Sequence, residues 1–258
     1  MPPAATEAPA ARHTLPVLGI PIDVVGAAEA RDRIAGWSAA RASRVVCICN
    51  AHSVVTASRN PAFRLAVTSA ELATPDGAPV AWMLRRLGAQ RQRRVSGPDL
   101  MSDYLAEAAA RGEAVFLYGS TPDTLQTLQQ CLPVRYPGLR IAGAISPPFR
   151  TLTADEDEAD VLAINASRAG TVWVSLGCPK QELWMQAHRG RVQAVMLGVG
   201  AAFDFHAGTV ARAPVWMRRA GLEWLHRLLS EPRRLWRRYL LTNTLFVVGA
   251  LRQLLRTR

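Results

Sequence analysis

An α/β fold, with a mostly parallel sheet covered by helices on both faces, is what this sequence predicts. The first observation behind it is a series of short β-rich runs ending in Gly or Asn: "VVCICN" (45–50), "AVFLYG" (114–119), "TVWVSLG" (171–177) and "AVMLGVG" (194–200). The second is what separates them: Ala-, Leu- and Arg-rich stretches with helical periodicity at 27–41, 98–111, 121–132 and 154–168. Strand, turn and helix in alternation build parallel strands joined by crossover helices. In such sheets ligands sit at the carboxyl ends of the strands, so chemistry is expected at those Gly and Asn corners.

After about residue 208 strand-like runs stop. Two helices are expected there, split at Ser230-Glu231-Pro232, where Pro suits a fresh helix N-terminus. Leu225, Leu228 and Leu229, then Leu235, Trp236, Tyr239 and Leu240, form apolar stripes with Arg227, Arg233, Arg234, Arg237 and Arg238 on or beside them. The expected organisation is a loose leader (1–14), an α/β core (15–208) and a basic amphipathic helical appendage (209–258).

Charge follows the same division. Of a formal net charge of +11, residues 209–258 carry +9, from eleven arginines against Glu223 and Glu231. A basic tail argues for an anionic partner. A membrane surface or lipid head group fits best. No zinc, helix-turn-helix or RNA-binding signature accompanies the charge, so nucleic acid is not expected. The apolar stripe can also bury against a second copy, so a homo-oligomer stays open. The longest uncharged apolar stretch, Tyr239 to Leu251, is thirteen residues, against about 20 for a membrane span. Cys47, Cys49, Cys131 and Cys178 lack CxxC spacing, and Cys47 and Cys49 fall on one face of a strand, as a buried pair would.

Several strand ends carry chemistry. In "PDGAPVAW" Asp76 follows a short strand; its carboxylate either caps the turn or the next helix, or faces a ligand as a general base. Asn50 can cap a helix or bind a hydroxyl or phosphate. In "SLGCPKQELW" a strand ends at Gly177, and Lys180, Gln181 and Glu182 crowd a helix N-terminus suited to phosphate; Lys180 is the chain's one lysine. Gly119 and Ser120 of "YGSTPDT" form a second corner of that type. Gly198-Val199-Gly200 is too incomplete for a dinucleotide fingerprint. Asp155-Glu156-Asp157 spells DxD but reads as the acidic first turn of a helix. His52, His188 and His206 have no metal-ligand spacing, so no metal site is expected.

In order and spacing, "NAHSVV", "PDGAPVAW", "RVSGPDL", "FLYGSTP", "SLGCPKQELW", "GVGAAFDFHAGTVARAPVWMRRAGLEWLHRL" and "EPRR" resemble the WecG/TagA/CpsF family of bacterial glycosyltransferases, from about residue 16 to 240. The resemblance implies a Rossmann-like core with a C-terminal appendage that completes the active site at the membrane. It implies inverting transfer of a hexose or N-acetylhexosamine, of glucose or N-acetylmannosamine type. The donor would be a UDP-sugar and the acceptor a polyprenyl-diphosphate-linked sugar, at the cytoplasmic membrane face during exopolysaccharide or other cell-surface polysaccharide synthesis. Carried over by motif, Asp76 is the base, Asn50 and Gln181 are active-site residues, and Arg212, Arg227 and one of Arg233 or Arg234 are the appendage arginines. Ile48 departs from the pattern, standing where relatives often have Thr and so removing a hydroxyl contact to the donor. Arginines beside a leaving diphosphate make metal independence the expectation. The competing readings are a nucleotide-binding Rossmann-type protein and a membrane adaptor, both without transferase activity.

Overall fold

The computed structural model describes residues 12–256, apart from the side chains of Arg234 and Arg238. A hairpin of β1 (Thr14–Val17) and β2 (Ile20–Asp23) precedes α1 (Ala27–Ala39) and β3 (Arg44–Cys49). Next come α2 (Ala51–Arg59), α3 (Pro61–Thr68), β4 (Leu72–Pro75), α4 (Gly77–Arg86) and α5 (Gly97–Arg111). The second half continues with β5 (Ala114–Gly119), α6 (Pro122–Arg135), β6 (Arg140–Ile145), α7 (Ala154–Ala166), β7 (Thr171–Ser175), α8 (Lys180–Ala187) and β8 (Val195–Gly198). Helices α9 (Ala202–Ala207), α10 (Val215–Arg219), α11 (Glu223–Ser230) and α12 (Pro232–Arg256) complete it.

Strands β3 to β8 form one six-stranded sheet of order β4-β3-β8-β7-β5-β6, parallel at every pairing. The chain steps outward from β3 to β4, crosses to β5 and β6, then returns through β7 to place β8 in the gap. Alternation along β3 shows why both faces must be covered. Val45, Cys47 and Cys49 join the core under α2, α3, α4, α7, α8 and α12, whereas Val46 and Ile48 join the core under α1, α5, α6 and α9.

Residues 1–11 of the expected leader lie outside the described residues. Arg12 and His13, its next two, are tied in: Arg12 pairs with the buried Asp23, and the Val24 amide donates to the His13 carbonyl. The two expected tail helices are present as α11 and α12, with α10 an additional short turn. The far half of α12 is no free appendage. Phe246 and Ala250 enter the core, Gly249 lies against Leu18, and Gln253 receives the Leu18 amide at 2.8 Å while donating to the Pro16 carbonyl. Leu18 and Gly19 both have positive φ, as a tight hairpin turn requires, and α12 holds that turn in place. The acidic triplet 155–157 is the first turn of α7, closed by a capping box between Thr153 and Glu156.

Gly119 is fixed by packing. It has φ +102°, and a Cβ there would lie 2.5 Å from the Ser175 carbonyl oxygen of the neighbouring strand. Gly119→Ala should therefore cost on the order of 2–4 kcal/mol in urea unfolding of the ligand-free protein. Unchanged stability would show that packing against Ser175 does not require glycine at this position.

Candidate active site

The carboxyl ends of β3, β4, β7 and β8 open into a cavity of about 570 Å³, roofed by α11 and α12. Ile48 and Asn50 reach it from β3, Asp76 from β4, Gly177 and Cys178 from β7, and Gly198 to Ala202 from β8. Because Ile48 lines the wall, this position presents methyl groups and no hydroxyl to an occupant.

Asp76 stands where strand becomes helix. Its amide is held by the Cys49 carbonyl at 3.0 Å, and Gly77 takes φ +76°, which explains the Asp-Gly pair. The side chain occupies the N-cap position of α4 without an N-cap hydrogen bond and lies against the adjacent Gly77 amide. Burial pushes its carboxyl up to about 6, reinforced by the negative Glu223 and opposed by Arg94 and the Gly77 amide. Asn50 is a cap: its Oδ1 accepts from the Ser53 amide at 3.1 Å. Its Nδ2 is then the donor it can offer a ligand.

Gln181 and Glu182 form the cavity floor. Both are buried, at 5% and 1% exposure, and the Gln181 Nε2 donates to Glu182 Oε1 at 3.0 Å. Gln181 Oε1 and Glu182 Oε2 are left buried without hydrogen-bond partners. Native interiors seldom leave such atoms unpaired, and both residues line the cavity. Burial raises Glu182 to about 7, against hydrogen bonds from the Gln181 side chain and its own backbone amide. Gly198 has no room for a Cβ, which would meet Met185 Cε at 2.7 Å and Gln181 Nε2 at 3.0 Å.

The positive wall is a shared network. Glu223 accepts from Arg94 Nη1 at 2.8 Å and from Arg212 Nε at 3.1 Å; Asp99 lies 2.8 Å from Arg212 Nη1 and 3.4 Å from Arg218 Nη1. Three guanidinium groups against two carboxylates leave one net positive charge. Burial raises the proton affinity of Asp99, but hydrogen bonds from Arg212 and Ser96 outweigh it and leave its pKa lowered. Arg227 lines the cavity, lies 5.4 Å over the Phe205 ring, and keeps a buried Nε without a hydrogen-bond partner. Gly221 seats the turn between α10 and α11 against Ala78, where a Cβ would approach to 2.7 Å.

Of the residues expected from sequence, Asp76, Asn50, Gln181, Glu182 and Arg227 come together here. Arg212 lies beside the cavity within the ion-pair network. Gly119 and Ser120 sit at the end of β5, beyond β7, and Lys180 is exposed on α8; none of these three lines the cavity. Arg233 is exposed on the first turn of α12, and the Arg234 side chain lies outside the described residues. Arg94, Asp99 and Glu223 carry no signature that singles them out in sequence, although each lies in a stretch that bears the resemblance. Among the described residues no group of three or more His, Cys, Asp or Glu is arranged to hold a metal ion.

The buried Glu182 has a stability consequence. Its folded pKa of about 7 lies above the ordinary 4.5, so the folded state keeps a proton that the unfolded chain releases. Stability therefore falls as pH rises from about 4.5 to about 7 and stays low above that. Glu182→Gln should gain stability relative to wild type between about pH 4.5 and about pH 8, by on the order of 3 kcal/mol. Thermal melts at the two pH values check this, and an equal difference at both would show an ordinary glutamate.

A parallel sheet, a carboxylate at the carboxyl end of a strand and an arginine wall are general features that do not by themselves name a function. The assignment comes from the whole chain: the profile of the Glycosyl transferase WecG/TagA/CpsF family matches residues 15–258, through the hairpin, every strand of the sheet and the helices that roof the cavity, and the protein belongs to that family.

Proposed function

We propose that this glycosyltransferase moves a hexose or N-acetylhexosamine, with inversion, from a UDP-sugar to a polyprenyl-diphosphate-linked sugar at the cytoplasmic face of the membrane. The product would feed exopolysaccharide or other cell-surface polysaccharide synthesis. The observation that carries this reading is Asp76, a carboxylate with raised proton affinity that shares one cavity with Arg94 and Arg227.

Asp76 takes the proton from the acceptor hydroxyl as that oxygen bonds to the sugar C1. The bond from C1 to the UDP oxygen breaks on the opposite face, and UDP leaves with its electron pair. A pKa near 6 suits a base at neutral pH, since it is ionised there yet retains affinity for a proton. The negative charge that grows on the diphosphate falls to Arg94, Arg227 and the adjoining Arg212, as permanent guanidinium charges that bind phosphate oxygens in pairs. In this role they replace a divalent ion, and no metal cofactor is needed.

Membrane contact rests on the tail. Trp216, Leu240, Leu241, Leu251 and Leu255 are each more than half exposed, with the exposed Arg233 and Arg237 on the same helix as the leucines. No helix among the described residues is long and apolar enough to cross a membrane, so contact would be peripheral.

A radiolabelled UDP-sugar panel against prenyl-diphosphate-linked acceptors tests the reaction. Asp76→Asn should lower turnover about 10²- to 10⁴-fold with the fold intact, and EDTA should leave wild-type turnover unchanged. The acid limb of kcat/KM should fall near pH 6 and move lower in Glu223→Gln, because removing a negative neighbour lowers the Asp76 pKa. Full turnover in Asp76→Asn, or rescue of EDTA-treated enzyme by a divalent ion, would sink the mechanism.

Flotation with anionic vesicles tests the tail. The double substitution Leu240→Glu and Leu251→Glu should cut binding at least about tenfold, because two exposed apolar anchors become like-charged with the lipid. Equal flotation of variant and wild type would remove α12 from membrane contact.

A further inference from the structure

The cavity has two chemically distinct halves. One is the polar floor and arginine wall described above. The other runs along α11 and α12, where Trp224, Tyr239, Phe246 and Val247 line it. Trp224 and Tyr239 meet edge to face at 6.1 Å and form one side of this strip. From Tyr239 to Val247 the strip follows about 12 Å of helix.

Val247 belongs to two surfaces. It lines the cavity, and it is 55% exposed on the outer face of α12, level with the exposed Leu240 and Leu251. Thr242 and Asn243 also line the cavity between Tyr239 and Phe246, and the apolar part of the lining meets the apolar stripe outside at Val247, since residues 240, 247 and 251 are spaced to share one helical face. Arg227, with its buried unpartnered Nε, also lines this cavity. A ligand complementary to the whole is an amphiphile: an anionic head beside arginine, then a hydrocarbon chain leaving past Val247.

We infer that the strip between α11 and α12 holds the first isoprene units of the lipid-linked acceptor, and that Val247 marks where the chain leaves the protein for the bilayer. This rests on the transferase reading above and adds a subsite to it. Within the subsite, Tyr239, Phe246 and Val247 bind hydrocarbon, so they contribute to acceptor KM and not to donor KM.

Steady-state kinetics in detergent, with two acceptors that share one sugar diphosphate, test this. One carries a farnesyl chain and the other a methyl group. Wild-type enzyme should have a farnesyl-acceptor KM at least about tenfold lower, from the burial of several apolar carbons. Val247→Trp fills the exit while keeping the surface apolar. It should raise KM for the farnesyl acceptor about tenfold more than it raises KM for the methyl acceptor or for the donor. Equal wild-type KM values for the two acceptors would overturn the subsite, as would a Val247→Trp loss shared by both. Transfer to neither acceptor by the wild type would instead refute the transferase reading itself.

Discussion

The ion-pair network of Arg94, Asp99, Arg212, Arg218 and Glu223 is the interaction on which the site depends. Asp99 opens α5 and Arg94 precedes it, both in the core; Arg212, Arg218 and Glu223 come from the C-terminal helical region. Their contacts draw that region over the ends of β3, β4 and β8 and so create a roofed cavity from an open sheet edge. Each pair is partly solvated and contributes little alone, no more than about 1 kcal/mol. The network matters through geometry. It fixes Glu223 on the cavity wall, where its charge raises the Asp76 pKa, and it holds guanidinium groups in reserve beside the site.

That reserve shapes how an anion would bind. Arg212 is already paired with two carboxylates, so a phosphate that reaches it exchanges one anionic partner for another and does not meet a bare cation. Such exchange limits the gain in affinity for any anion while leaving the local charge balanced without one. Arg227, held over Phe205 rather than by a carboxylate, is the less committed group.

Much of the fold was legible because it follows from local pattern. The Val-, Ile- and Gly-marked strands and the break at Ser230-Glu231-Pro232 lie close to where periodicity and turn chemistry placed them. The hairpin β1–β2 was not legible: Leu18-Gly19 is no common turn pair, and its shape is held by Gln253, more than two hundred residues away in sequence. Edge strand β6, only partly buried, lacks the aliphatic run that announces a central strand. The same distinction governs the site. A strand ending in Gly before a helix recurs at several corners, so sequence offered Gly119 and Ser120 as a second phosphate corner beside the denser Lys180-Gln181-Glu182 stretch. Strand order decides between them, by setting β8 beside β3 and β5 beyond β7, and strand order is a non-local property. Arg94 and Glu223 acquire meaning only as a pair, which is again a contact across the fold.

The anchoring of α12 against Leu18 and Pro16 through Gly249 and Gln253 reaches past stability. A helix secured in this way is a mounting and not a tether. Under the membrane contact proposed above, the cavity is carried at one height and one tilt above the head groups. In the transferase reading proposed above, glycan selection then becomes partly a matter of stature, set by whether an acceptor's terminal hydroxyl stands at the level of Asp76.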